Sequence, residues 1–245
     1  MYEKFAYVYD ALMQDVDYDR WVDFIEDIFK VYGAKPETIV DLACGTGNIT
    51  GRLAERGYKV TGIDISGDML AVASEKARNA GLDITYVCQD MRELELHRPV
   101  DAITCMCDGF NYILEDADLE QTLSGIKRYL NPGGILVFDT SSHYKLSRVL
   151  GNNVMTETEG DINLIWCNTY DKSSEIVQMN LTFFVKEENR YRKFEETHFQ
   201  RAYKQEDMIR MLEKCGFSNP ACFAEFSLEP PRKKTQRIFY AATNI

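Results

Sequence analysis

Three carboxylates and two glycines carry the most readable chemistry in this 245-residue chain. The stretch Ile39-Val40-Asp41-Leu42-Ala43-Cys44-Gly45-Thr46-Gly47-Asn48-Ile49-Thr50 runs apolar residues into an acid, then two glycines at i and i+2, then a helical pattern. A strand, a tight turn and a helix N-terminus in that order form a holder for a nucleotide-like ligand. Gly45 and Gly47 would let the backbone approach such a ligand, because no Cβ intervenes. Asp64 ends the next strand pattern, about 20 residues on, where doubly wound sheets grip a ribose diol. A carboxylate only accepts and two neighbouring hydroxyls offer two donors, so the pairing can be bidentate. The alternative, Asp64 as the cap of the next helix, is met better by Ser66. Asp90 follows a third strand pattern and could accept from an amine, or stand in water as a loop carboxylate. A dinucleotide fingerprint would put a third glycine where Thr50 stands, and no acid at Asp41.

Proton handling falls to His143 and His198, since imidazole titrates near neutrality; a structural hydrogen-bonding role is the alternative for each. Arg201 alternates with Phe199 and Tyr203 and could bind an anionic group, or pair with Glu195 or Glu196. The seven cysteines include no CxxC pair and the three histidines form no run, so no metal site is expected. Cys105 and Cys107 are read as sharing one face of a strand. A net charge of −11 argues against a surface built to neutralise nucleic-acid phosphates. Arg232-Lys233-Lys234 reads as a solvated turn after Pro230-Pro231. No stretch reaches the ~18 apolar residues of a membrane span. Met1-Tyr2-Glu3-Lys4 lacks a signal-peptide pattern, so a reduced cytoplasmic setting is expected.

The elements that must position these groups follow from periodicity. Phe5, Val8, Tyr9 and Leu12, then Trp21, Phe24, Ile25, Ile28 and Phe29, recur at helical spacing over residues 1–35. Asp17 or Asp19 would cap the second helix, and Gly33 and Pro36 would end it. Strands are expected at 38–42, 59–63, 84–88, 102–106 and 135–140, with intervening helices at 48–56, from Ser66 to Gly81, and at 119–130. Residues 152–203 break the α/β rhythm into alternating strand patterns, which predicts an antiparallel insertion over the carboxyl ends of the sheet. A helix at 205–215 and two closing strands, at 221–227 and 237–243, return to the core. The fold class is α/β and doubly wound.

Val40-Asp41-Leu42-Ala43-Cys44-Gly45-Thr46-Gly47 resembles the first motif of class I S-adenosylmethionine (SAM) dependent methyltransferases, closest to the branch of glycine and sugar-amine N-methyltransferases. The Asn131-Pro132-Gly133-Gly134 turn before an apolar strand adds to the match. The resemblance implies one Rossmann-like domain over 1–245 with a seven-stranded sheet, a helical lid at 1–35 and a β cap at 152–203. It also implies a terminal hairpin and SAM as cofactor. It would place Asp41, Ala43, Gly45, Gly47, Asp64, Ile65, Met69, Asp90, Met91 and Met106 on the cofactor, with Asp90 at the adenine amine and Met91 at the ring. Asp108, Phe110, Asn111 and Tyr112 would lie beside the acceptor, although Asn111 could instead cap a local turn. Tyr2, Phe5, Tyr7, Tyr9 and Tyr18 enrich the lid in aromatics; Tyr9 and Trp21 match lid residues of the family, with plain packing as the alternative. Tyr9, His143, His198 and Arg201 are the candidates for catalysis.

Methyl transfer from a sulfonium is an in-line displacement. The enzyme mostly positions the acceptor, excludes water and keeps the nucleophile unprotonated, so no strong base motif is required. The expected reaction is methylation of a small molecule, at nitrogen by branch resemblance. An RNA or protein acceptor and a non-catalytic SAM-binding module are the rivals. Thr50 and the Asp90-Met91 step disfavour a NAD-dependent oxidoreductase.

Overall fold

Strand alternation sorts the core onto two faces of one sheet. The structure is a computed structural model that describes residues 3–245, apart from the side chains of Glu3, Lys4, Phe5 and Tyr7. Of the lid aromatics, Tyr2 and the side chains of Phe5 and Tyr7 thus lie outside the described residues. Helices α1 (Glu3–Leu12) and α2 (Tyr18–Tyr32) lead into β1 (Thr38–Leu42), α3 (Asn48–Glu55), β2 (Lys59–Asp64), α4 (Gly67–Ala80) and β3 (Thr85–Cys88). Then come β4 (Val100–Cys105), α5 (Asp116–Tyr129) and β5 (Leu130–Ser141). Four cap strands follow, β6 (Val154–Glu159), β7 (Ile162–Asp171), β8 (Ile176–Glu187) and β9 (Arg190–Arg201). The chain closes with α6 (Gln205–Lys214), β10 (Ser218–Ala224) and β11 (Arg237–Thr243).

The main sheet has seven strands in the order β10-β11-β5-β4-β1-β2-β3. The pairs joining β1 to β5 are parallel, and β11 runs antiparallel to both β5 and β10. Ile39, Ala102, Val137 and Phe239 face α2 and α3, whereas Val40, Ile103, Phe138 and Tyr240 face α5 and α6. Helices therefore cover both faces, as a doubly wound parallel sheet requires. The strand order reverses between β1 and β4, and the crevice beyond their carboxyl ends is the usual ligand site of such sheets.

Asp17 is the N-cap of α2 and accepts from Arg20 N at 3.0 Å, and Gly33 closes that helix at φ 65°. Ser66 caps α4 through Met69 N. Three elements differ from expectation by three residues or more. Strand β5 starts at Leu130 rather than 135 and takes in Asn131-Pro132-Gly133-Gly134, which the sequence pattern reads as a turn. Helix α5 starts three residues early, at Asp116, where Asp116 and Asp118 favour its positive end. Strand β10 spans 218–224 rather than 221–227. Thr243 Oγ1 holds Ser218 O, a register shift absorbs Pro220 on this edge strand, and a turn at Ser227 ends the pairing.

The cap is a separate antiparallel sheet in the order β6-β7-β8-β9. Val177 and Met179 seat it on Leu146 and Leu150, in a single π-turn (Lys145–Leu150) that sequence periodicity does not reveal. Ile162, Leu164 and Phe183 pack on Val8, Ala11 and Leu12 of α1. The N-terminal helix and the insertion thus meet over the crevice. Among the described residues, no helix is long and apolar enough to cross a membrane.

Candidate active site

A cavity of about 360 Å³ opens at the carboxyl ends of β1, β2 and β4. Its floor is the turn after β1, where Ala43, Gly45 and Gly47 have φ of 51°, 55° and 77°. The two glycines do different work. Gly45 lines the cavity, and a Cβ there would meet no protein atom within 4 Å. Gly47 does not line this cavity. A Cβ there would lie 2.6 Å from Tyr86 Oη and 3.0 Å from Ala73 Cβ, so its missing side chain makes room for Tyr86. Gly47 therefore has a packing reason for its missing side chain that sequence spacing does not show. Gly62 accommodates the same ring.

Thr50 also has a local reason. Its hydroxyl donates to Asp41 Oδ2 at 2.6 Å, while Thr104 Oγ1 donates to Oδ1 at 2.9 Å. A glycine at 50 would leave this buried acid one donor short. Burial pushes the Asp41 carboxyl up to about 6 against those two hydroxyls, with nearby Asp64 adding to the rise.

Asp64 lines the cavity at the end of β2 and accepts from Gly45 N and Ser66 N, both at 2.8 Å. Burial raises its pKa and the backbone donors oppose that rise. The same two bonds fix the carboxylate against the glycine turn, leaving acceptor capacity for hydroxyls. Ile65 and Met69 supply apolar walls beside it. Asp90 and Met91 lie on the same cavity. Arg92 N donates to Asp90 Oδ1 at 2.9 Å, and the Arg92 guanidinium makes a forked pair with the same carboxylate. That pairing holds the Asp90 carboxyl below the usual range. Asp41, Asp64 and Asp90 therefore converge on one hollow.

The far end is lined by Tyr9 and Tyr18 from the lid, Met106, Cys107 and Tyr112 from the segment after β4, and His198 from the cap. Tyr112 Oη lies 3.2 Å from His198 Nδ1. Burial lowers the His198 pKa, which favours neutral imidazole. Burial raises the phenols of Tyr9 and, to about 12, Tyr18, so both keep their protons near neutrality.

Other residues singled out in the sequence do not line this cavity. Phe110 is fully buried and stacked on Phe138, with centroids 4.2 Å apart. Asn111 is a buried staple. Its Nδ2 donates to Ser141 O and Arg201 O, and its Oδ1 accepts from Ser141 N. Asp108 turns away to Arg237 and Gln200. His143 stands beside Ser147 and Glu175. Arg201 donates to Leu114 O and pairs with Asp116 at 2.8 Å, not with Glu195 or Glu196. Cys105 and Cys107 do not share a face: β4 ends at Cys105 and Cys107 takes φ 58°, so only Cys107 reaches the cavity.

Sequence reasoning missed Asp10. Thr46 Oγ1 (2.6 Å), Asn48 Nδ2 (2.9 Å) and Lys76 Nζ (2.8 Å) all donate to its carboxylate. These bonds outweigh the opposing effect of burial and lower the Asp10 pKa. One acid on α1 thereby ties the lid to the glycine turn and to α4. Only a helical acid beside Tyr9 is visible in the sequence. The described residues hold no cluster of His, Cys, Asp or Glu suited to a metal ion.

Known proteins share this fold. A family model described as a methyltransferase domain matches residues 39–134. A Geobacillus sp. (strain WCH70) protein, named as a methyltransferase without a substrate, is 36% identical over 98% of both chains. A crystal structure of an S-adenosylmethionine-dependent methyltransferase from Clostridium acetobutylicum ATCC 824 superposes with a TM-score of 0.90 at 36% identity, covering 99% of this chain and 98% of that one. A glycine/sarcosine N-methyltransferase of Halorhodospira halochloris is 36% identical over 51% of this chain and 52% of its own.

Proposed function

Because the chain belongs to the S-adenosylmethionine-dependent methyltransferases, we propose that it methylates a small molecule at an amine nitrogen. SAM is the cofactor. The cavity suits it: Gly45 lines it without a side chain, and Asp64 and Asp90 stand on its edge, with Asp41 buried beneath. Asp64 would take the ribose hydroxyls, and Asp90 and Met91 the adenine edge. Asp41 and the glycine turn would flank the amino-acid end. Bound there, the sulfonium supplies a methyl group activated for displacement.

The chain's own residues then position the acceptor and keep it unprotonated. Tyr9, Tyr18 and Tyr112 wall the far end, excluding water and offering hydroxyls to orient a nucleophile. His198, kept neutral by burial, would accept the amine proton at Nδ1 by way of Tyr112 Oη, which passes on its own proton from 3.2 Å away as it takes up that of the amine. The observation that supports the small-molecule reading is that residues of the sheet edge, the lid and the cap all line one cavity of about 360 Å³. The net charge of −11 supports it over RNA. The amine preference draws on the Halorhodospira relative, whose name gives glycine and sarcosine. Arg92 is the one Arg or Lys among the described lining residues, and it is committed to Asp90 and Asp118. That favours an amine on an uncharged skeleton over a carboxylated one such as glycine.

Incubating the full chain with SAM and a mixture of small amines, phenols and RNA tests this, with products read by mass spectrometry. A methyl gain on an amine, abolished in His198→Ala with SAM affinity retained, is expected. Methylation confined to phenols or RNA would overturn the proposal.

A further inference from the structure

Behind the far end of the cavity lies a buried charge cluster that the chemistry above does not use. Arg237 comes from β11, and its side chain is 12% exposed. Its guanidinium donates to Asp139 of β5 and, at 2.9 Å, to Asp108 Oδ1, and it lies 4.9 Å from the Trp21 ring of α2. The second Asp108 oxygen accepts from Gln200 Nε2 at 2.7 Å, and Asp108 N donates to Asp139 at 3.2 Å. Gln200 sits two residues from His198 on β9, so the two side chains share a face; both are buried. Cys107 and Asp108 both take φ 58°, a left-handed conformation that non-glycine residues keep only when their surroundings impose it. One guanidinium therefore braces two walls: Cys107 through its neighbour Asp108, and His198 through Asp108 and then Gln200.

We propose that Arg237 and Gln200 are positioning residues for the acceptor end, holding the segment after β4 and the cap strand with His198 in register over the cavity. One guanidinium nitrogen, Nη1, holds both carboxylates, while Nε lies 3.9 Å from Glu225 and the planar group stands over Trp21, a combination that a lysine ammonium does not reproduce. Gln200 reads the cluster for the cap, since β9 belongs to a different sheet from Arg237. The inference rests on the acceptor end assigned above. Its test needs neither turnover nor an acceptor, so failure here and failure of amine methylation are separable.

The test is nitrogen-15 NMR of the three histidine rings in the full chain saturated with S-adenosylhomocysteine (SAH). In the unaltered protein the two His198 ring nitrogens should give well-separated shifts, as one tautomer held by Tyr112 requires. In Gln200→Met, and more strongly in Arg237→Lys, that separation should collapse towards an average, with SAH affinity kept within about threefold. A purely structural role would lower the melting temperature and leave the His198 signature in place, and that result overturns the proposal. Loss of SAH binding together with the signature also overturns it. If neither variant folds, hydrogen exchange at the Gln200 side-chain amide of the unaltered protein decides: slow exchange supports the link to Asp108, and solvent-like exchange refutes it.

Discussion

Adding one methyl group at Gly45 or at Gly47 should damage different properties. Both positions are left-handed, at φ 55° and 77°, which costs an alanine about 1–2 kcal/mol. At Gly47 the new Cβ also meets Tyr86 Oη at 2.6 Å and Ala73 Cβ at 3.0 Å. Overpacking of that kind adds about 1–3 kcal/mol. Gly47→Ala should therefore lose ~2–5 kcal/mol, or roughly 5–20 °C in melting temperature for a chain of this size. Below its melting point it should bind SAH within about threefold of the unaltered protein. Gly45 lines the cavity and a Cβ there meets no protein atom within 4 Å, so the added methyl group is expected to intrude on a bound ligand rather than on the protein. Gly45→Ala should lose only ~1–2 kcal/mol of stability, yet at least about tenfold in SAH affinity, or ~1.4 kcal/mol. Tyr86→Phe combined with Gly47→Ala removes the 2.6 Å contact and leaves a ring carbon at 3.3 Å, so part of the stability should return. Calorimetry for unfolding and titration with SAH for binding measure both quantities. The reasoning fails if Gly47→Ala keeps its stability but loses SAH, or if Gly45→Ala binds normally.

Asp64→Asn keeps the shape but turns one charged acceptor into an amide facing Gly45 N and Ser66 N. With ~1.5–3 kcal/mol at stake per charge-assisted bond, SAH should bind about 10–100-fold more weakly by titration calorimetry, and an unchanged affinity would remove Asp64 from the ribose role. Asp41 is raised to about 6 by burial, above the ~3.9 of an unfolded aspartate, so the native state binds the extra proton between those values. Its contribution is present below about pH 4 and is lost as pH rises through 6, by roughly 3 kcal/mol for two units. Denaturant unfolding across pH 4–7 should show Asp41→Asn gaining on the unaltered protein as pH rises; a constant difference would refute the shift. Asp10→Ala cuts the tie between α1 and the glycine turn. Since Asp10 and Lys76 are each more than a third exposed, about 1 kcal/mol is expected after screening, hence roughly fivefold faster SAH release in stopped-flow. An unchanged rate would show that α1 does not gate the cavity.

The order of elements and the first half of the cavity were legible in the sequence because they are local. Asp64 closes its own strand and Asp90 follows its own, so chain position alone puts them at the carboxyl edge. Thr50 looked like a departure from a fingerprint; only the distance to Asp41 shows it replacing a glycine with a hydrogen-bond donor. The candidates after β4 were harder. A left-handed pair at Cys107 and Asp108 resets which way each later side chain points. Phe110 and Asn111 consequently go inward and Tyr112 goes to the cavity.

By itself the sequence determined the doubly wound sheet, the glycine turn, the acids at its edge and the antiparallel insertion, since periodicity and turn chemistry act over a few neighbouring residues. Only the tertiary structure decided which cap and lid residues meet the cavity. An alternating strand offers two faces, and sheet register together with its docking on the core selects one. His198 meets Tyr112 across 86 residues, Asp10 meets Lys76 across 66, and Arg237 meets Asp108 across 129. No local pattern encodes such pairings, because they exist only once the packing of two sheets and a helix has closed them.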